Sequence, residues 1–415
     1  MKNIKKRISA AAVLALLIAV CSAPLTPMAA ETGGTAGDTK TVRLYGDYHA
    51  DISAALNRIN ASRKEACREG VPDPRDSSKK LSISDYKPIK WSSDLEEIAR
   101  LRAAEASLTV SHTRPNGTSC FTAQSSNGID SWGEVLAWNW STSMVPGIDQ
   151  WYEEKSDWVS QNENAVTGHY TQMIDPDHTY VGLGCFSNDY GVYYTTTSGE
   201  FSTLPSLDSS FGPAVNDTYV DIQIQKASVS SPRLLNISNE KSSFEVGETV
   251  NLRLAMSSSV EGYSATVFSA GTITWTSSNA AVVSVSDGLV KGLRPGNAVI
   301  TAVDSDGISA SKAITINKMK QNLKVSKAKK TVKYKTVRKK TVRTSKVKVT
   351  GVKTPVTYKK IGGSKKLTID KTSGKIKVKK KTRKGTYKIK IKVTAKEGAD
   401  YKAASKKATV TVRVK

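Results

Sequence analysis

The hydrophobic period changes partway along the chain, from about 3.6 residues to about 2, and nothing else limits the fold so strongly. Ile52, Ala55, Leu56 and Ile59 recur at i, i+3, i+4 and i+7, which predicts a helix beginning near Tyr48. Ser93 as N-cap with Glu96 three residues on predicts a second helix, with an apolar stripe of Leu95, Ile98, Ala99, Ala103 and Ala106. A third helix is expected from about Val145 to Ser160. Short strands are then expected at His169–Ile174, Tyr180–Phe186 and Gly191–Thr197. From Leu234 the helical signal is gone. Ile273/Trp275, Val283/Val285 and Ala298/Ile300/Ala302 alternate, with turns at Asp287-Gly288 and Pro295-Gly296, as in a small antiparallel β sandwich. Further on, Tyr387, Ile389, Ile391, Val393 and Ala395 interleave with Lys388, Lys390 and Lys392, and Val410, Val412 and Val414 repeat the pattern. Strands with one apolar and one lysine face fit this better than a disordered basic arm.

Charge divides the chain at nearly the same place. Residues 318–415 hold 36 Lys and Arg against three acids, a net +33; with +25 for all 415 residues, the first 317 carry −8. A chain of this length exceeds one ordinary core. At the N-terminus, Lys2, Lys5, Lys6 and Arg7 precede an apolar run from Ile8 to about Leu25 and the small-residue stretch Met28-Ala29-Ala30. That order predicts a secretory signal peptide over 1–30. Cys21 follows Val20, which does not suit lipid attachment, and no second long apolar segment predicts a membrane span. An oxidising exterior then favours one disulfide and one free thiol among Cys67, Cys120 and Cys185, in any of three pairings. Residues 31–46 read as a flexible leader. Residues 201–232 read as a linker, in which Tyr219–Ile224 alternates and offers a last strand.

Four segments between residues 110 and 175 carry the candidate chemistry: Ser111-His112-Thr113-Arg114, Trp132-Gly133-Glu134, Trp151-Tyr152-Glu153-Glu154 and Gly168-His169-Tyr170-Thr171-Gln172. In this order they resemble the CAP superfamily of cysteine-rich secretory, antigen 5 and pathogenesis-related-1 proteins, over roughly residues 47–200. The resemblance implies an α-β-α sandwich with a cleft lined by His112, Glu134, Glu154 and His169. It departs from the family at Val135, where an Asn is usual. Helical geometry supports one assignment independently. Ile148, Trp151, Tyr152 and Trp158 define an apolar face with Glu154 at its edge, while Glu153 points to solvent with Asp149 and Asp157. Two imidazoles, His112 and His169, are the expected metal ligands, with zinc the best-suited ion. His49 and His178 fall outside the four segments and are expected at the surface.

Residues 233–317 resemble the bacterial immunoglobulin-like group 2 domain, through Val246-Gly247-Glu248, Thr274-Trp275-Thr276-Ser277-Ser278-Asn279, Gly288-Leu289-Val290-Lys291-Gly292 and Gly296-Asn297-Ala298-Val299-Ile300-Thr301-Ala302. Trp275 is expected in its core. The expected whole is multidomain: an α/β CAP-like sandwich, an all-β immunoglobulin-like sandwich and a basic all-β domain over 318–415. The functional expectation is a secreted, surface-associated bacterial protein whose cleft binds a metal or small ligand without catalysis. Its tail is expected to hold an anionic cell-wall polymer, and not nucleic acid, since Arg is scarce and the lysines alternate along strands. Such attachment weakens with salt, because exposed charges are screened beyond about 8 Å at physiological ionic strength. Two other readings use the same residues: a metal-assisted extracellular hydrolase of peptide or cell-wall material, and an adhesin working through the immunoglobulin-like domain.

Overall fold

The structure, a computed structural model, describes residues 38–211, 219–237 and 241–415. The signal-peptide reading of 1–30 lies outside these. Among the described residues no helix is long and apolar enough to cross a membrane. The described residues form two compact units: those up to 233 with 254–272 and 304–306, and those in 234–253 with 273–303 and 307–415.

In chain order the first unit holds β1 (Thr39–Tyr45), α1 (Ile52–Glu69), α2 (Ser93–Ala106), β2 (Gly133–Asn139), α3 (Val145–Glu153), α4 (Lys155–Val159), α5 (Gly168–Ile174), β3 (Tyr180–Ser187), β4 (Thr195–Ser202) and β5 (Tyr219–Gln225). Strand β3 pairs antiparallel with β4, and β4 with β2. All eight residues of β3 are buried, because its two faces are both covered. Val181, Leu183 and Cys185 join one core with Ala55 and Ile59 of α1, Ile148 and Trp151 of α3, and Tyr170 and Met173 of α5. On the opposite face, Gly182 and Gly184 meet α2 so closely that an added Cβ would lie 2.1 Å from Glu96 N and 2.3 Å from Ala99 O, respectively. The result is the three-layer α-β-α sandwich that the resemblance implies, since a sheet buried on both faces needs helices on both.

Several local expectations shift. The N-cap of α2 is Ser92, whose hydroxyl accepts from Leu95 N at 3.4 Å; the stripe one residue later is buried as expected. Residues 168–174 form α5, not a strand: Tyr170, Met173 and Ile174 are the buried ones, at helical spacing. The third helix breaks at Glu154 into α3 and α4. Residues 39–45, read as flexible leader, form β1, because Val42 and Leu44 are buried and the strand pairs with β5 and with Tyr263–Ser269. The strand expected near 219–224 exists as β5, but its partner is β1.

Cys67, Cys120 and Cys185 are all free and buried, which corrects the expected disulfide. Each behaves as a small apolar side chain on its own element. Burial raises all three thiols, that of Cys185 to about 12.

In the second unit, Gly296–Asp304 pairs antiparallel with Ser309–Asn317, and Val283–Ser286 with Leu289–Gly292. The latter hairpin turns at Asp287-Gly288, both at positive φ (47° and 76°), the conformation that short hairpin turns demand. Trp275 is half-buried, not a core residue; Val283, Val290, Ile300, Ile314 and Ile316 fill that role. The basic tail is folded as its alternation implies. Strands β6 (Val356–Gly363), β7 (Gly385–Ala395) and β8 (Ala404–Val414) form one antiparallel run, extended by the parallel strand Lys330–Val332. A second sheet pairs Lys375–Val378 with Val342–Lys346 and Leu367–Ile369. Ile389, Ile391, Val393, Val410 and Val412 pack with Leu367, Ile376 and Val378 in a single apolar core.

Candidate functional site

The four expected residues reach the site from four different elements. His112 lies in the loop after α2, where Thr113 N donates to Ser111 Oγ at 3.0 Å and Arg102 Nη2 donates to the His112 carbonyl at 3.1 Å. Glu134 is near the start of β2, directly opposite Glu200 of β4. Glu154 occupies the α3–α4 break, and its Oε2 accepts from Tyr170 N at 3.1 Å, tying that break to α5. His169 is the second residue of α5.

The two imidazoles lie side by side, with ring centroids 6.4 Å apart and planes 24° from parallel. Each has its own carboxylate: His112 Nδ1 lies 2.7 Å from Glu134 Oε1, and His169 Nδ1 lies 2.5 Å from Glu154 Oε1. A carboxylate on Nδ1 fixes the tautomer with hydrogen on Nδ1 and leaves the Nε2 lone pair for a ligand. His112 and His169 are partly exposed, with side chains 31% and 18% accessible, so both are reachable from solvent. Glu153 is exposed, as the helical geometry requires.

Beneath His112 runs a buried ionic network that the sequence reading missed. Arg102 is fully buried and reaches Glu134 Oε2 through Nε at 2.5 Å and Glu105 Oε2 through Nη1 at 2.7 Å; Arg114 closes on Glu105 at 2.8 Å. Burial opposes the ionisation of Glu134, but the Arg102 guanidinium and the His112 hydrogen bond outweigh it and hold its pKa at about 2. Glu200 is driven the other way, by burial and then by the Glu134 charge, which favours its protonated form. Two guanidiniums then face two carboxylates, Glu105 and Glu134, and the network is balanced. Periodicity carried a signal for it. Arg102 is four residues from both Ile98 and Ala106, so it falls on the apolar stripe of α2, where an arginine needs a partner.

A second grouping includes a residue that had no assigned role. One ligand atom from each of His112, Cys120 and Glu134 lies within 4.8 Å of the others, a spacing compatible with an ion. The chemistry of this set is poorer than its spacing. Both Glu134 oxygens are engaged by Arg102, and burial with Glu134 nearby pushes the Cys120 thiol far up. Among the described residues, the ion pairs and hydrogen bonds of His112 and His169 engage Nδ1, not Nε2. Gln172 Oε1, one helical turn beyond His169 and against Gly133, is a buried acceptor with no partner among the described residues.

The other two histidines are not surface residues as expected. His178 is buried, stacks on Phe201 at 5.0 Å and engages the Gln172 carbonyl at 2.8 Å, and burial lowers its pKa. His49 is half-buried, with Nε2 2.7 Å from Ser187 Oγ.

Comparison with known proteins bears on the two folds. Residues 56–201 match the cysteine-rich secretory protein (CAP) family, and residues 235–316 match the bacterial Ig-like domain (group 2). No curated protein matches the chain. Similar solved structures include Drosophila N-cadherin EC1-3 (14% identity, 59% of this chain and 79% of that one, TM-score 0.20). Human protocadherin-24 EC1-2 is another (13%, 44% and 98%, TM-score 0.22). A third is a SusE-like surface-located polysaccharide binding protein from the Bacteroides thetaiotaomicron heparin utilisation locus (11%, 56% and 43%, TM-score 0.17). Overlaps this slight carry no inference about the chain. With the sandwich and its paired His–carboxylate groups in the first unit, and alternating strands beyond residue 234, the chain carries a CAP domain of the cysteine-rich secretory protein family followed by a bacterial Ig-like domain of group 2.

Proposed function

We propose that this extracellular bacterial protein is a non-enzymatic binding module whose CAP cleft holds a divalent cation on His112 and His169, and whose basic tail retains it on an anionic polymer at the cell surface. The observation that carries the cleft reading is the pairing of each imidazole with its own carboxylate, the arrangement that orients histidine toward a metal. Zinc is the cation best suited to two neutral imidazoles in a site open to water. A bound ion would present its remaining positions to an outside ligand, and the chain's own contribution is to fix both rings and exclude water from their Nδ1 side.

The test is calorimetric titration of the full chain with zinc chloride. His112→Ala with His169→Ala is expected to weaken binding at least a hundredfold. Glu154→Gln, which removes only the orientation of His169, is expected to weaken it by about 10–100-fold. Unchanged zinc affinity in the double variant would remove the cleft from this account.

A further inference from the structure

The outer face of the tail's larger sheet holds an arrangement that a sheet built for stability alone would avoid. Lys392 of β7 stands directly opposite Lys359 of β6 on one side and Lys407 of β8 on the other. All three are exposed, and neighbouring strands are only about 4.8 Å apart. Like charges placed opposite one another destabilise a sheet. Along β7 the row continues through Lys390 and Lys388, at intervals of about 6.8 Å. None of these five lysines is in an ion pair among the described residues, where the tail's pairs are Lys318–Glu397 and Lys377–Asp370. The remaining outward positions of β7 and β8 are mostly threonine, including Thr386, Thr394, Thr409 and Thr411.

We infer that this face is a docking surface for a linear phosphodiester polymer, laid across the Lys359–Lys392–Lys407 row and along β7. The inference rests on the proposed retention by an anionic polymer and names where and on what chemistry it occurs. Charge complementarity selects a polyanion, because one small anion answers a single crossing of the array and leaves the rest repelling. Lysine suits a phosphodiester chain as a row of point charges, each ammonium meeting a compact phosphate without the bidentate fork that arginine brings to carboxylate and phosphate alike. The interleaved threonine hydroxyls add donors for phosphate oxygens. Single-stranded nucleic acid fits less well, since the outward positions of these three strands offer no aromatic ring for base stacking among the described residues.

Binding of the full chain to immobilised poly(glycerol phosphate), measured over a series of salt concentrations, tests this. The triple variant Lys359→Gln, Lys392→Gln, Lys407→Gln is expected to bind at least tenfold more weakly at physiological salt. Its salt slope is expected to fall by about two, at roughly 0.7 per lost contact. The same charge removed elsewhere, as Lys339→Gln, Lys340→Gln, Lys380→Gln, is expected to change affinity no more than about threefold. These lysines are also exposed, and unchanged circular dichroism verifies both folds. Equal weakening by both triples overturns the docking face while leaving retention by diffuse charge intact. Equal affinity of the wild-type chain for polygalacturonate overturns the phosphodiester assignment. Failure of the wild-type chain to bind either polymer overturns the retention reading itself.

Discussion

Glu134→Gln is expected to destabilise the folded chain by about 3–5 kcal/mol, the cost of stripping one partner from a buried ion pair. The substitution changes almost no volume, so the loss is electrostatic. Arg102 would remain fully buried, and with Arg114 it would face a single carboxylate, Glu105. The depressed pKa of Glu134 points the same way: the Arg102 guanidinium and the His112 hydrogen bond hold the carboxylate below its ordinary range, so its ionised form stabilises the folded state. Because the folded pKa is the lower one, that contribution is complete above about pH 5 and is lost as pH falls toward 2. Urea unfolding at pH 7 and pH 3 measures both effects: a wide gap between wild type and Glu134→Gln at pH 7, narrowing at pH 3. Glu200→Gln is the control. Burial and the Glu134 charge favour the protonated form of Glu200, so an amide should preserve the charge balance and a change of less than about 1 kcal/mol is expected at pH 7. A Glu134→Gln protein as stable as wild type would mean that the network does not hold the site together.

Gly184→Ala is expected to cost about 3 kcal/mol or more, at the upper end of overpacking effects. Its methyl group would sit 2.3 Å from Ala99 O and 2.5 Å from Arg100 N, both main-chain atoms of α2. Neither can yield by a rotamer change, so the helix as a whole must lift from β3. Lifting α2 carries Arg102 away from Glu134, so this change far from the imidazoles should also loosen His112. A thermal melt reads the first effect and zinc affinity the second. Gly128→Ala provides the contrast in space: no atom lies within 4 Å of its Cβ position, and only its positive φ of 74° penalises the substitution.

How much of this was legible in advance depended on whether a residue's role is local. Amphipathic stripes such as Leu95, Ile98 and Ala99, and alternation such as Ile389, Ile391 and Val393, report burial directly, and the structure buries all six. The β1 strand was hidden because Thr39–Tyr45 finds its partners, β5 and Tyr263–Ser269, only about 180 residues or more later. Residues 168–174 were ambiguous for a different reason: with only Tyr170, Met173 and Ile174 apolar, a seven-residue stretch is too short to fix the period. The cleft was half legible. His112, Glu134, Glu154 and His169 stand out by motif order, and the structure brings each imidazole to its carboxylate. Glu200 and Cys120 did not stand out, because their importance comes from sitting across a strand pair or a loop from Glu134. Gly182 and Gly184 lacked any signal beyond their identity, since what makes them necessary is the backbone of α2.

Metal chemistry at the cleft can be read from the ion itself. X-ray absorption at the zinc edge, on the full chain loaded with one equivalent, tests the claim that the two outward-facing ring nitrogens hold the cation. The account predicts imidazole nitrogens at about 2.0–2.1 Å and light oxygen neighbours, with no sulfur. A sulfur neighbour at about 2.3 Å would contradict it, placing the ion on Cys120 and not between His112 and His169.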